Sequence, residues 1–519
     1  MADVNFANSS LYRRKIKSVE NLCLEIGSPP RNEKVIMCHG AFDIVHPGHL
    51  RHLIYAKEHA NILVASITCD AHIAKASLRP YVPEDLRALN LAAFEFVDYV
   101  IIDRNPTPLE NLSRIKPDLF AKGYEYASGG LHPRTLEEAS IIESYGGEVL
   151  FTPGDVVYSS SAIIEAEPPD LGIDKLAILM QSRGIDFDDL RRALDAVSTL
   201  HVHVVGDTIV DSLTQGSMIG GMTKTPTPSL RFEGKTDYVG GAGIVAKHLR
   251  AAGADVTFST VLGNDTLSKF VIEDIENASV NTNFIIDPTR PTTNKNAIVA
   301  SGYRLLKLDT LDNRSISRKI VDEFKHKISK SKADIFVFSD FRHGIFNRDT
   351  IPQLIEAIPK HAFRVADSQV ASRWGNICEF SGFNLITPNE REARFSLGDQ
   401  DSVVRPLGSR LYEAAKCEYL MLKLGERGML TQFAPESDEE QFFYVVDSFA
   451  ENVVDAVGAG DALLAYASLA LKATGSHVIA SILGTFAAAI ECECNGNIPV
   501  DRKSIFERLD KIEKIADLI

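Results

Sequence analysis

Two histidines three positions apart, His46 and His49, flank Pro47-Gly48 in the stretch "HGAFDIVHPGHL" (His39–Leu50). Imidazoles in such a pair can ligate a metal, donate hydrogen bonds to an anion, or simply pack. The preceding apolar run ends at Cys38, and Pro47 occupies a position that a helix tolerates only in its first turn. Both rings therefore stand at a helix start, whose unpaired N–H groups attract negative charge. Helical zinc pairs are usually spaced i, i+4 inside a formed helix, and no third ligand cluster accompanies this pair. The anion reading leads, with plain packing as the bland alternative. A second run, "VVDAVGAGDALLAYASLAL", places a small-residue loop, Gly458-Ala459-Gly460, before Asp461 at the start of an apolar helix. The amides of such a loop can form an anion hole, and a carboxylate there can take a proton from a hydroxyl. Its plain alternative is a glycine turn with a capping aspartate.

The elements around these residues alternate. "KVIMCHG", "NILVASITC", "DYVIID", "PDLFAKG" and "GEVLFTP" read as short apolar strands, each separated from the next by a segment of helical spacing. Buried strands alternating with helices predict an α/β fold with a parallel sheet covered on both faces. The pattern breaks at "IIEAEPPDLGID" (Ile163–Asp174), rich in proline and acid. A helix, "DFDDLRRALDAVSTL", and a second strand series starting at "HVHVVGD" follow. The expected organisation is a polar N-terminal extension over 1–33, a first domain over 34–165, a linker over 166–185 and a large α/β domain over 186–519.

The chain has 519 residues, 45% hydrophobic, and a formal net charge of −15. That acidic balance disfavours nucleic-acid and anionic-membrane binding but not small local phosphate sites. Seven cysteines without a C-x-x-C suggest neither a disulfide framework nor a zinc knuckle. The doublet "ECEC" (Glu491–Cys494) alternates like a strand or turn more than a chelate. No apolar signal core or membrane-length run is present, so a reduced, cytoplasmic protein is expected.

Four blocks carry a first resemblance. "FDIVHPGH" resembles the H-x-G-H signature of cytidylyltransferase-like nucleotidyltransferases, and "LRPYVPEDLRALNLAAFEFVDYV", "PDLFAKGYEY" and "YSSSAII" resemble later family segments in order. The similarity runs from about Val35 to Ile164. It implies a Rossmann-like domain in which a sugar-1-phosphate oxygen attacks the α-phosphorus of a nucleoside triphosphate and pyrophosphate leaves. His46 and His49 would stabilise the transferring phosphoryl, with Gly40 and Phe42 in the same nucleotide-binding loop. Lys75 and Arg79 would neutralise the triphosphate, although each also reads as a solvated surface charge. Lys122 would bind substrate phosphate. Ser159, Ser160 and Ser161 would present N–H and hydroxyl groups to phosphates, a role compatible with helix capping. Asp43 is expected to fix the loop by hydrogen bonding. Class I aminoacyl-tRNA synthetases share the H-x-G-H, but their K-M-S-K-S-like loop has no counterpart here.

A second resemblance joins "VVGDTIVD" (Val204–Asp211), "YVGGAGIVAKHLRAAGADVTFSTVLGND" (Tyr238–Asp265), "TPNEREA" (Thr387–Ala393), "KLGERGM" (Lys423–Met429) and the run around Asp461. These are similar to the PfkB/ribokinase carbohydrate kinases, over roughly Asp186 to Leu509. The resemblance implies a ribokinase-like α/β fold with a small β lid, for which "TPSLRFEGKTDYVGG" is a candidate. It implies a base at Asp461, an anion hole at Gly458, Ala459 and Gly460, and a nucleotide-side loop at Gly425 and Gly428. Sugar contacts would come from Asp207, Asp211, Gly240 and Gly241. Asn389 and Glu392 match the family's N-x-x-E, which organises Mg²⁺ and water around the phosphates.

Together the two parts look like the bifunctional heptose-7-phosphate kinase/heptose-1-phosphate adenylyltransferases, with inverted order, since those proteins usually put the kinase first. Ile244 replaces an expected asparagine, and His343 and Gln369 stand where lysines are usual, which alters recognition of a phosphorylated sugar. The implied substrates are sugar phosphates with ATP, CTP or GTP, Mg²⁺ is the implied cofactor, and a homo-oligomer such as a dimer is expected.

Overall fold

The computed structural model describes residues 10–73, 80–123, 133–152, 172–219, 228–300, 302–370, 375–434, 443–494 and 496–516. The chain divides into two compact units, Met1–Leu171 and Gly172–Leu518.

The first unit holds β1 (Val35–Gly40), β2 (Ile62–Thr68), β3 (Tyr99–Asp103), β4 (Leu119–Gly123) and β5 (Glu148–Thr152). They form one parallel sheet in the order β3-β2-β1-β4-β5. Alternate residues of β1 enter opposite cores: Ile36 and Cys38 pack with Leu53 and Leu91, Val35 and Met37 with Leu112 and Ile142. A continuous apolar run is what a strand needs when helices cover both its faces.

Residues 10–33, expected to be a polar extension, pack onto this sheet. Ile16 bridges Val100 at the sheet edge, and helix Val19–Ile26 buries Leu22 beside Val35 and Phe120. Val19, Leu22, Cys23 and Ile26 make one helical stripe that the polar average of the segment conceals.

The second unit contains β6 (His201–Gly206), β7 (Thr208–Met218), β8 (Leu230–Gly241), β9 (Asp255–Leu262), β10 (Asn281–Ile286), β11 (Asn294–Ala300), β12 (Tyr303–Thr310), β13 (Ile335–Asp340), β14 (Phe363–Ser368), β15 (Leu385–Ile386), β16 (Tyr419–Lys423), β17 (Met429–Phe433) and β18 (Phe443–Val446). The main sheet runs β10-β9-β6-β13-β14-β15-β16-β17-β18, parallel as far as β16 and antiparallel beyond it. A separate sheet, β12-β11-β7-β8, forms the small lid. In β13, Ile335 and Val337 face one core while Phe336 and Phe338 face the other.

Of the expected linker 166–185, residues 172–182 form helix Gly172–Ser182, whose Leu176 and Met180 lie in the second unit's core. The proline and acid of the preceding stretch hide this short amphipathic segment. "ECEC" likewise departs from the strand-or-turn reading, because helix His477–Cys492 runs through its first half. No helix among the described residues is long and apolar enough to cross a membrane.

Candidate functional site

In the first unit, β1 leads into the loop that launches helix Pro47–Glu58. His46 is its N-cap: Gly48 N–H donates to His46 Nδ1 at 3.1 Å. That bond leaves the proton of neutral His46 on Nε2. A Cβ at position 48 would meet the His46 ring at 2.9 Å, so Gly48 makes the cap sterically feasible. The His46 and His49 rings stack at 3.9 Å between centroids, and Phe42 lies 5.1 Å from His49. Gly40 leaves room for the Phe42 ring, which a Cβ there would meet at 3.3 Å. Burial lowers His46 below the ordinary imidazole range. The pair is thus a helix-start constellation with a neutral His46, suited to donating hydrogen bonds to an anion.

Asp43 fixes the loop as expected, accepting from Tyr81 N–H at 3.0 Å and Val82 N–H at 2.8 Å. Lys122 pairs with the buried Glu138 carboxylate at 2.5 Å. His39 closes on Ser66 Oγ and Thr68 Oγ1 at the strand ends and is pushed down to about 3, first by burial and then by Lys122. Lys75, Arg79, Ser159, Ser160 and Ser161 lie outside the described residues.

Sequence reasoning missed Arg87. Its fully buried guanidinium donates to Ala41 O, to Val82 O and Thr68 O at 2.9 Å, and to Asp70 at 2.7 Å. It ties the histidine loop to the end of β2. The available signal was a charge inside the apolar face of "LRALNLA".

In the second unit, Gly458 sits at φ +91° as the N-cap of helix Ala459–Thr474. Asp461 lies in the first turn, its N–H donating to Gly458 O at 2.9 Å. Burial, then repulsion from Asp367, pushes Asp461 up to about 8, while Lys423 opposes the shift. Behind the loop, a Cβ at Gly458 would come within 2.8 Å of Glu491 Oε1. Glu491 is itself buried and pushed up to about 8, by burial and then by Asp461. A buried carboxylate that binds protons this tightly can accept one from an incoming hydroxyl near neutral pH.

The N-x-x-E segment is a capping box: Glu392 N–H donates to Asn389 Oδ1 at 2.9 Å and Asn389 N–H to Glu392 Oε2 at 2.7 Å. Glu392 is pushed up to about 7 by burial and the neighbouring Asp367. Asp367 in turn pairs with Lys423 at 3.2 Å. Asn389 and Glu392 therefore sit beside a buried carboxylate and fit an indirect role near a divalent cation. Among the described residues no cluster of three or more metal-ligating side chains occurs. Gly425 and Gly428 both have positive φ and turn β16 into β17, where a Cβ at Gly428 would meet Val446 O at 2.0 Å.

The residues expected on the sugar side divide. Asp211 Oδ2 accepts from Asn497 Nδ2 at 2.9 Å, and Gly240 packs so close that a Cβ would meet the same oxygen at 2.1 Å. Gly241, at φ +60°, abuts Asp207 O. Asp207 itself is occupied elsewhere. Its carboxylate accepts from the amides of Phe341 and His343, both at 3.1 Å, and Ile345 at 3.3 Å. Three amides thus hold this buried carboxylate, which anchors that loop. His343 contacts Asn313 at 2.9 Å, and Ile244 is fully buried.

Residues 37–166 match the family described as Cytidylyltransferase-like, and residues 201–503 match the pfkB family carbohydrate kinases. The Bifunctional protein HldE of Desulfatibacillum aliphaticivorans is 28% identical over 320 residues, 60% of this chain and 63% of that protein. Its namesake from Sulfurimonas denitrificans is 26% identical over 316 residues, 60% of this chain and 64% of that protein. The chain thus spans less than two thirds of the length of these curated relatives. Phosphofructokinase-2 from Escherichia coli, solved with substrates and products, aligns at a TM-score of 0.51 and 16% identity, over 60% of this chain and 100% of that one. That likeness shows a ribokinase-like fold in the second unit. The cytidylyltransferase-like part comes first in this chain and the kinase part second. Because the kinase match covers more than half of its residues, the chain belongs to the pfkB family of carbohydrate kinases.

Proposed function

We propose that the chain is a bifunctional enzyme of nucleotide-sugar synthesis. Its C-terminal half phosphorylates a sugar or sugar phosphate with ATP. Its N-terminal half transfers a nucleotidyl group from a nucleoside triphosphate to a sugar-1-phosphate and releases pyrophosphate. The leading product is an NDP-heptose such as ADP-heptose. The observation that carries the reading is Asp461, buried at the mouth of helix Ala459–Thr474 directly behind the Gly458-Ala459-Gly460 loop.

In the kinase half, Asp461 takes the proton of the attacking hydroxyl while the amides of the loop hold the transferring phosphoryl. Asp211, Gly240 and Gly241 face the sugar, and Gly425 and Gly428 shape the nucleotide side. Lys295 and Lys307 of the lid influence Asp211, which supports a phosphorylated substrate. Asn389 and Glu392 would hold Mg²⁺ indirectly, and its charge would offset that of the phosphates. In the other half, His46 and His49 donate to the phosphoryl oxygens as charge builds, with Gly40 and Phe42 shaping the loop. Lys122, released from Glu138, and the cations and serines outside the described residues would hold the remaining phosphates. The lid strand β12 exposes Tyr303, Leu306 and Leu308, which supports pairing of two copies.

The test is ADP release across a panel of sugars and sugar phosphates, wild type against Asp461→Asn, beside pyrophosphate release from each nucleoside triphosphate with sugar-1-phosphates. No Asp461-dependent ADP release from any sugar overturns the kinase half. That outcome favours a second reading, a nucleotidyltransferase with a non-catalytic, regulatory or dimerising kinase-like domain. Ile244, His343 and Gln369 are the observations behind it.

A further inference from the structure

The second unit carries a cation that neither resemblance assigns. Lys423 ends β16, and its place is fixed through the backbone. Lys423 N–H donates to Pro388 O at 2.8 Å, and the residue bridges Asn389 of the capping box. Its ammonium reaches both oxygens of Asp367 at 3.2 Å, and Asp367 is further held by Thr387 Oγ1 at 3.3 Å. On its other side the side chain lies against Gly460: a Cβ built there would fall 3.1 Å from Nζ and 3.5 Å from Cδ. Glycine at 460 therefore admits the ammonium to the mouth of helix Ala459–Thr474. The Lys423 side chain is 14% exposed against 4% for Asp367, so the pair is open on the lysine's side.

We propose that Lys423 is a catalytic residue of the kinase half, its ammonium meeting the γ-phosphoryl group of ATP beside the Gly458–Gly460 amides. The inference rests on the kinase reading above. Two arguments support it. The Asp367 carboxylate near this helix mouth repels a triphosphate unless a cation stands beside it, and Lys423, which reaches both of its oxygens, is that cation. Moreover, the absence of a side chain at Gly460 leaves the space the ammonium needs at the helix mouth, since a Cβ there would fall 3.1 Å from Nζ. Asp367 then acts as a positioning residue that aims the ammonium.

The test uses the full chain and two probes, Mg²⁺ with the non-hydrolysable ATP analogue AMPPNP and Mg²⁺ with ADP. Slowed amide exchange in peptides spanning Val457–Leu464 gives each affinity at this site alone. Wild type is expected to prefer the γ-phosphate analogue by about tenfold, and Lys423→Met to reduce that ratio to within about twofold. Lys423→Arg should keep most of the preference, and Lys423→Gln serves if the methionine variant loses native exchange protection. A purely structural lysine would lower both affinities together, so an unchanged ratio in Lys423→Met and Lys423→Gln overturns the proposal. A wild type without γ-phosphate preference overturns it while the kinase reading stands. A wild type whose peptides respond to neither nucleotide overturns both.

Discussion

Both units place a helix mouth where an anion could sit, and they line it with opposite chemistry. Helix Pro47–Glu58 opens among imidazoles, one of them a cap held neutral by burial. Helix Ala459–Thr474 opens among carboxylates, Asp461 with Asp367 and Glu392 nearby, and Lys423 as their counterion. A donor pair capped by a neutral imidazole suits transfer to a phosphate oxygen that is already an anion, where no proton has to be moved. A carboxylate that holds protons tightly suits transfer to a hydroxyl, whose proton needs an acceptor. The contrast matches the two proposed acceptors, a sugar-1-phosphate in one half and a sugar hydroxyl in the other.

The comparison is broken most decisively by cross-wise loss of activity. Asp461→Asn is expected to cut ADP release by about 10³-fold and leave pyrophosphate release intact. His46→Ala or His49→Ala should cut pyrophosphate release by about 10²- to 10³-fold with ADP release unchanged, measured on the same preparations. Loss of both activities in any one of these variants would undo the division of labour. Next in size, Arg87→Ala strands buried carbonyls at Ala41, Thr68 and Val82 and should destabilise the first unit by about 2–4 kcal/mol. Denaturant melting followed by exchange in β1 peptides, with second-unit peptides as reference, reads that loss.

The pH dependence sharpens the same contrast. Asp461 is pushed up to about 8, so its basic form grows as pH rises. Phosphoryl transfer should climb about tenfold or more between roughly pH 6.5 and 8.5. Nucleotidyl transfer should change by less than about twofold over that range, because His46, lowered by burial, is mostly neutral throughout it. Parallel profiles for the two activities would remove the basis of the comparison.

Much of this is legible in the residues. Apolar runs such as "VIMC" report a strand buried on both faces, and Pro47-Gly48 marks a helix start, because these signals are local. Partners across the fold are not. Lys423, Asp367, Glu491 and Arg87 are ordinary charges in the sequence, and only the tertiary fold brings Lys423 within reach of Gly460 or Arg87 beneath the histidine loop. The amides that Asp207 holds lie more than a hundred positions away, beyond any local signal. The short helices Val19–Ile26 and Gly172–Ser182 escape because each carries its apolar stripe within a stretch whose average is polar.

The buried acids of the second unit also couple folding to the solvent's protons. Asp461 and Glu491 are pushed up to about 8, Asp340 and Glu392 to about 7, all chiefly by burial. Against them, His39, His203 and His248 are pushed down to about 3 by burial. Near pH 7 the unfolded chain has these acids ionised and its histidines mostly neutral, so folding takes up protons, and stability falls as pH rises through that range. Toward pH 5 the unfolded histidines are charged and release protons on folding, which nearly cancels the uptake by the acids. Unfolding heats measured in buffers of different ionisation enthalpy should therefore diverge at pH 7 and converge near pH 5. These buried carboxylates thereby make the resting protein a proton reservoir.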